Sequence, residues 1–513
     1  MAIVGRLLKN VVNIRGRYLT VTLKNVKKSQ KNSLRRLLEK ASTSSFGRTY
    51  EFQKILFSAD PVKAFQKSVP YFDYDSIFES WWHKTLEGGK NICWPGKIKY
   101  FALSSETSGA PSKQIPVSSD MLSSIRRAGI RHMLTLSQLN LPGDFFSKNI
   151  LLLGGSTHLN RIETRLEGDL SGILTSHLPP WVLSFYKPGK EIAQEKDWNE
   201  KLKQITLAAH KWDVGIIAGV PAWVQMLIEK IIQHYHLKHI HELWPNFLIY
   251  AHGGVAFEPY RESFKKLLGK KVFFMETYLA SEGFLAYQKK YDHPYMQMVL
   301  RNGVFYEFIP FNDHNFDLNR KVKQEAEAFT LDEVREGVDY ALVISTNAGA
   351  WRYLIGDIVK FTSVENYEMV ITGRTKHFLS LCGEHLSVDN MNHAIQMVSL
   401  DLGLETREFT VSAIKTTSFF GHHWVIGTEI NEDQTKVMHS LDQTLKLLND
   451  DYATERKAAL KKIVVDLVPN EVFYQYMEVK GKVGGQFKFP RVMNEEQWKD
   501  WRLFLKTKLN RDV

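Results

Sequence analysis

The chain has 513 residues, 44% hydrophobic and 24% charged, which fits two to four globular domains with sizeable cores and excludes a disordered or fibrous polymer. Two cysteines, Cys93 and Cys382, exclude a disulfide framework and fit a reducing, cytoplasmic setting. The net charge of +11 is spread among interleaved acids, so it favours anionic ligands without marking a nucleic-acid site. No apolar run reaches the ~18 residues of a membrane span. The 18 histidines are scattered and form no HExxH pattern.

The first residues, MAIVGRLLKNVVNIRGRYLTVTLK, are basic and mildly apolar. They partly meet the composition of a mitochondrial presequence but lack the apolar core of a secretory signal, and they read as an amphipathic helix. Residues 32–41 predict a helix with Leu34, Leu37 and Leu38 on one face. Residues 43–52 read as a turn with aromatic anchors. The aromatic stretch 71–84, with Phe72, Tyr74, Phe78, Trp81 and Trp82, reads as core. A strand at 98–103 leads into the segment FALSSETSGAPSKQIPV, residues 101–117. Its Ser104, Ser105, Thr107, Ser108 and Ser112 supply short donors, Gly109 permits a tight turn, and Lys113 adds a cation. A triphosphate needs that combination. The spacing is not that of a P-loop, and a serine-rich surface turn is the structural alternative. A helix at 120–138 would then point its positive end at the phosphates.

Further on, 149–155, 214–218, 247–251 and 271–275 predict buried strands. They close on Gly154-Gly155, Gly219-Val220-Pro221, His252-Gly253-Gly254 and Glu276-Thr277-Tyr278, and a helix is expected over 223–235. Strands ending in glycine or polar clusters, some followed by helices, argue for an α/β fold with ligands at the strands' carboxyl ends. Residues 303–310 and 340–346 alternate as antiparallel strands, and 358–362 and 369–372 are short strands beside Gly356-Asp357 and Gly373-Arg374. Beyond them an α+β unit is expected, with strands at 409–414 and 424–430 and helices at 435–448 and 453–462; His422-His423 reads as a loop pair. The basic, glycine-rich segment 481–491 holds Lys482 and Lys488, able to bring a cation over a reacting carboxylate or phosphate, or to be a surface turn. Neither a GxSxG elbow nor a GxGxxG fingerprint is present.

In this order, WPGKIKYFALSS, GGVAFEPYR, ETYLASEG, WRYLIGD, GRTKHFLSLCGEHLS, NDDYATERK and GGQFKFPR resemble the blocks of adenylate-forming enzymes. Within that superfamily, which includes acyl-CoA synthetases, peptide-synthetase adenylation domains and luciferase, the likeness is to the auxin-responsive Gretchen Hagen family of acyl acid amido synthetases and its bacterial relatives. It runs from about residue 30 to the C-terminus. The resemblance implies a large adenylation domain over residues 1–373 with mixed sheets flanked by helices, and a small mobile α+β domain over 374–513, pivoting at 373–376.

It also implies ATP and Mg²⁺ as cofactors, a small carboxylic acid as substrate and an amino acid or other amine as acceptor. No nucleic-acid or membrane partner is implied, and a monomer is the default. A carboxylate would attack the α-phosphate to give an acyl adenylate, and an amine would then displace AMP. By this likeness Ser104, Ser105, Thr107, Ser108, Gly109 and Lys113 would hold the β- and γ-phosphates. Gly253, Gly254 and Tyr278 would flank adenine, Ser281 would sit by the α-phosphate and Glu282 would bind Mg²⁺. Asp357 would take the ribose hydroxyls with Arg374 beside it, and Lys488 would reach the reacting phosphate. Trp223 and Met226 would line an apolar pocket for the acid. Plant members act on auxin or jasmonate; nothing in this sequence selects either.

One position departs from the family. Glu106 stands in the phosphate loop where the family usually has glycine, and a carboxylate there repels a triphosphate by about 1 kcal/mol even when solvated. It points away, assists Mg²⁺, or marks a chain that activates ATP poorly. The competing readings are a thioester-forming CoA ligase and a non-catalytic protein of the same fold.

Overall fold

The computed structural model describes every residue except 1, 19–25, 105–112, 292, 318–319, 376–377, 380–385, 416–419, 430–432, 458–459, 482–487 and 510–513. A twelve-stranded mixed sheet organises it. Five strands lie side by side and parallel: Tyr186–Lys187, Asn149–Leu153, Val214–Gly219, Ile249–Gly253 and Phe273–Ala280. Their apolar runs are covered on both faces, as parallel strands require. Ile217 and Tyr250 pack under the helices Pro221–Tyr235 and Glu258–Leu267, while Ile216, Ile249 and Met275 meet Leu136 and Phe145 on the other side.

At Ser281-Glu282 the sheet changes direction. Ala280 pairs with Gly283 across this two-residue hairpin, and Gly283 takes φ +155. From there the order is Gly283–Gln288, Met296–Met298, Glu368–Arg374, Tyr353–Ser363, Asp339–Thr346, Val304–Pro310 and Phe329–Thr330, all antiparallel. The four buried strands expected from sequence are therefore parallel neighbours in the sheet. The Phe273–Ala280 strand runs on through Glu276, Thr277 and Tyr278, which do not follow it as expected.

A second sheet pairs Tyr100–Ser104 with Lys113–Val117 antiparallel and with Arg165–Gly168 in parallel, Asn160–Ile162 lying at its edge. This register corrects one expectation. The helix Ser119–Leu134, capped by Ser118, starts where Val117 pairs with Tyr100, at the hairpin end remote from the loop. Five intervening strand residues place its N-terminus roughly 17 Å from the loop. Asp120 instead holds Lys40 at 2.7 Å and the Trp94 Nε1 at 2.9 Å. The first helix spans Ala2–Tyr18 and packs on Gly143–Ser147 at Gly5, while Gly16 lies against Ser137.

A smaller four-stranded sheet, in the order Leu460–Val468, Phe420–Gly427, Phe409–Lys415, Val492–Met493, carries the helices Val388–Leu402 and Gln434–Leu448. The expected helix over 453–462 ends at Lys457, and a strand begins at Leu460, because the β-branched run Ile463-Val464-Val465 pairs in parallel with His422-His423-Trp424. His422 and His423 thus lie in a strand, with His423 Nε2 at 2.5 Å from Asp466 Oδ2. Trp498, Trp501 and Phe473, on the helices Glu495–Leu509 and Asn470–Val479, share a core with Trp223 and Tyr260.

Part of the WRYLIGD block serves the fold alone. Trp351 is fully buried, and Arg352 reaches Glu307 at 3.1 Å, donates to the carbonyls of Gln66 and Val69 at 2.7 and 2.8 Å, and lies 4.0 Å over the Tyr71 ring. Neither member of the pair is exposed beyond 4%. Arg352→Met strands the Glu307 carboxylate and is expected to lower unfolding free energy by about 3–5 kcal/mol, read from urea midpoints.

Candidate active site

The site lies where the sheet reverses. Tyr278, near the end of the last parallel strand, donates its hydroxyl to Asp357 Oδ2 at 2.5 Å. Asp357 is paired across the ladder with Arg374, whose Nε stands 3.0 Å from Oδ1. Gly356 takes φ +89, a conformation open to glycine without strain, and its carbonyl accepts from Thr375 N–H at 2.8 Å. Asp357 and Arg374 belong to the strands themselves, which extend past the bounds expected from sequence. The tie from Tyr278 through Asp357 to Arg374 therefore binds three strands at the site.

Glu282, on the hairpin turn, is buried. Burial pushes its carboxyl up to about 7, Asp357 pushes in the same sense, and Lys113 and Arg374 act against them. Tyr353 is buried near the same carboxylate, which adds to the upward push that burial gives its hydroxyl. A magnesium ion held beside phosphates needs only one or two carboxylates, and a buried glutamate flanked by charged groups fits that use. Among the described residues no group of three or more His, Cys, Asp or Glu side chains could hold a metal alone. Ser281 shares the turn and is half-buried.

Ser104 and Lys113 face each other as the last pair of the hairpin, so the loop between them springs from one point. Lys113 lies 5.3 Å over the Tyr74 ring, and Tyr74 Oη accepts from Gln114 N–H at 2.9 Å. Ser105, Glu106, Thr107, Ser108 and Gly109 lie outside the described residues, as do Lys482 and the hinge residue Lys376.

Gly253 has no room for a side chain, since a Cβ would stand 2.3 Å from the Thr277 carbonyl oxygen. Gly254 takes φ +87, and a methyl there would lie 3.4 Å from Lys488 Cε and 3.5 Å from its Nζ. Lys488 thus arrives from the far end of the chain against the Gly253-Gly254 turn. Its side chain is exposed to solvent at its surface yet enclosed by surrounding protein, which, with Arg374 acting in the same sense, pushes its ammonium down to about 8 against the pull of Asp357. Beside it a pocket is lined by apolar Val220, Trp223, Met477 and Phe489 and also by polar Tyr260, Glu408 and Arg491, so it is not the wholly apolar pocket expected. Trp223 lines it as expected; Met226 packs against the neighbouring core.

The structure thus gathers Gly253, Gly254, Tyr278, Glu282, Asp357, Arg374 and Lys488 around one cleft, with Lys113 at its edge. Tyr74 and Tyr353 escaped the sequence reading. Tyr74 lay in an aromatic stretch indistinguishable from core, and no local pattern marked Tyr353 as facing Glu282.

The fold is that of adenylate-forming ligases. The GH3.15 acyl acid amido synthetase superimposes with a TM-score of 0.76 at 15% identity, covering 95% of this chain and 94% of that one. A 2-hydroxyisobutyryl-CoA ligase in the postadenylation state superimposes with a TM-score of 0.62 at 12% identity, over 95% and 94%. The chain belongs to the GH3 family: its N-terminal domain matches at residues 17–161 and 163–273, its central domain at 297–374 and its C-terminal domain at 389–497. Among curated relatives, the jasmonoyl-L-amino acid synthetase JAR6 of Nicotiana attenuata is 27% identical over 272 residues, covering 50% of this chain and 46% of that protein. The indole-3-acetic acid-amido synthetase GH3.4 of Arabidopsis thaliana is 25% identical over 213 residues, covering 38% and 35%. The chain thus matches less than half the length of these relatives.

Proposed function

We propose that the chain is an ATP-dependent acyl acid amido synthetase. A carboxylate oxygen attacks the α-phosphorus of ATP and pyrophosphate leaves, giving an acyl adenylate. The amine of an amino acid then attacks the acyl carbon, losing a proton as AMP departs, and an amide forms. The observation that carries this reading is the seating of Lys488 against Gly254, in the electrostatic reach of Asp357 and Arg374.

Each residue has a task in this proposal. Gly253 and Gly254 present bare backbone to adenine. Tyr278 closes that side and orients Asp357, which takes the ribose hydroxyls with Arg374 beside it. Ser281 donates to the α-phosphate, and Lys488 neutralises charge as carboxylate and phosphate approach. Ser104, Ser105, Thr107, Ser108, Gly109 and Lys113 hold the terminal phosphates. Glu282 would hold Mg²⁺, which offsets phosphate charge when bound. The acid occupies the pocket beside Trp223. Residues 1–373 form the adenylation domain, and residues 374–513 turn about 373–376 between the two half-reactions. Two cysteines, one of them buried Cys93, suit a cytoplasmic setting. Among the described residues no helix is long and apolar enough to cross a membrane.

The test is pyrophosphate release from Mg-ATP across a panel of small carboxylic acids, with hydroxylamine trapping the activated acid. Acid-dependent release with hydroxamate formed is expected, followed by amide formation in an amino-acid panel. Binding of ATP without release by any acid overturns the enzyme reading, and transfer to CoA in preference to every amine overturns the amide reading.

A further inference from the structure

Three polar side chains that line the pocket beside Trp223 also hold one another across the fold. Tyr260 Oη, on the helix Glu258–Leu267 that follows Gly254, donates to Glu408 Oε1 at 2.6 Å. The other oxygen of Glu408 accepts from Arg491 Nη1 at 2.5 Å. Tyr260 is 1% exposed and Glu408 4%. Next to them Arg407 holds Glu229, on the helix Pro221–Tyr235, at 2.8 and 3.2 Å. Lys266 pairs with Glu405 on the same stretch.

Arg491 is three residues beyond Lys488. Its carbonyl accepts from Val411 N–H at 2.9 Å, and its Nη1 also donates to the Phe409 carbonyl at 3.1 Å, which fixes it to the small sheet. Three residues of chain reach about 10 Å at most. The position of Lys488 is therefore tethered to Arg491, and Arg491 is tied through Glu408 to the helix that starts behind Gly254. A buried carboxylate holding a donor on each oxygen makes this tie directional, because releasing either donor leaves charge unpaired.

We propose that Tyr260, Glu408 and Arg491 form a clamp that positions Lys488 against Gly254, and that release of the Tyr260–Glu408 hydrogen bond accompanies its withdrawal from the cleft. The catalytic use of that position rests on the ligase reading; the clamp itself does not. These three are positioning residues, acting through Lys488.

Tyr260→Phe tests it, since the ring packing and the Glu408–Arg491 pair remain. Losing a hydrogen bond to a charged group lowers the seated population about tenfold relative to the withdrawn one. In the ligand-free protein near neutral pH, labelling of Lys488 by an amine-reactive reagent, followed by peptide mass spectrometry, falls below wild type, because the seated amine is solvent-exposed and its ammonium is pushed down to about 8, whereas the withdrawn one regains its ordinary value. Acid-dependent pyrophosphate release falls up to about tenfold, while transfer from synthetic acyl adenylate to the amine falls far less, so the ratio of the two half-reactions drops. Glu229→Gln, which loosens the neighbouring tie, shifts both readouts the same way by a smaller factor. Unchanged Lys488 labelling in Tyr260→Phe, or a fall of both half-reactions in step, overturns the clamp. Absence of pyrophosphate release in the wild type overturns the ligase reading instead, and the labelling result then decides the clamp by itself.

Discussion

Lys488→Ala lowers acid-dependent pyrophosphate release by about 10²- to 10³-fold while ATP binding by calorimetry changes little. A preorganised charge that meets developing negative charge contributes about that much to a transition state. The loss falls in kcat, because the ammonium serves the reacting atoms more than the bound nucleotide. The pH profile carries a second signature. The cationic form is the protonated form, and surrounding protein pushes this ammonium down to about 8 in the unliganded chain. Charge is thus present below that pH and is lost as pH rises through it. For kcat/KM, which reports the free enzyme, an alkaline limb is expected near 8. Bound triphosphate favours the cation, so the limb in kcat lies at higher pH. Coincident limbs in both profiles, or an intact limb in Lys488→Ala, would remove Lys488 from the reaction.

Asp357→Ala weakens ATP binding by about a hundredfold, the effect of losing two hydrogen bonds from ribose hydroxyls to a carboxylate. It also abolishes discrimination against 2′-deoxy-ATP, and this specificity readout separates a ribose contact from general damage. Wild type is expected to prefer ATP over the deoxy form by about tenfold, and the variant by less than about twofold. The stability cost is modest, because the Arg374 side chain is 44% exposed and solvent can replace its partner. Tyr278 loses its acceptor as well, and Tyr278→Phe isolates that part. Retained discrimination in Asp357→Ala would place the ribose elsewhere.

Much of the site is local in the chain, and this explains what could be read from it. Apolar runs of four or five residues closing on glycine or polar clusters mark buried strands, and strands 149, 214, 249 and 273 proved to be parallel neighbours whose ends gather at the cleft. The hairpin bearing Ser281 and Glu282, and the glycine before Asp357, were likewise visible as short blocks. Boundaries slipped where tertiary pairing outweighed local signals. Glu276 to Tyr278 stayed in their strand because the Ile249–Gly253 and Gly283–Gln288 ladders hold them there. Residues 460–468 became a strand because a parallel partner was waiting.

The amino-acid sequence by itself therefore determined the α/β class and the buried strands of half the sheet, since each depends on neighbours within a few residues; its blocks pointed to the groups proposed for the site through their resemblance alone. Tertiary structure decided the rest. Hairpin register carried the Ser118-capped helix away from the phosphate loop. Burial assigned Arg352 to a buried ion pair and left Asp357, five residues on, for the site. The docking of Tyr260 on Glu408, and of Lys488 on Gly254, joins groups separated by most of the fold. No periodicity or spacing encodes such contacts, because they arise from the packing of whole elements.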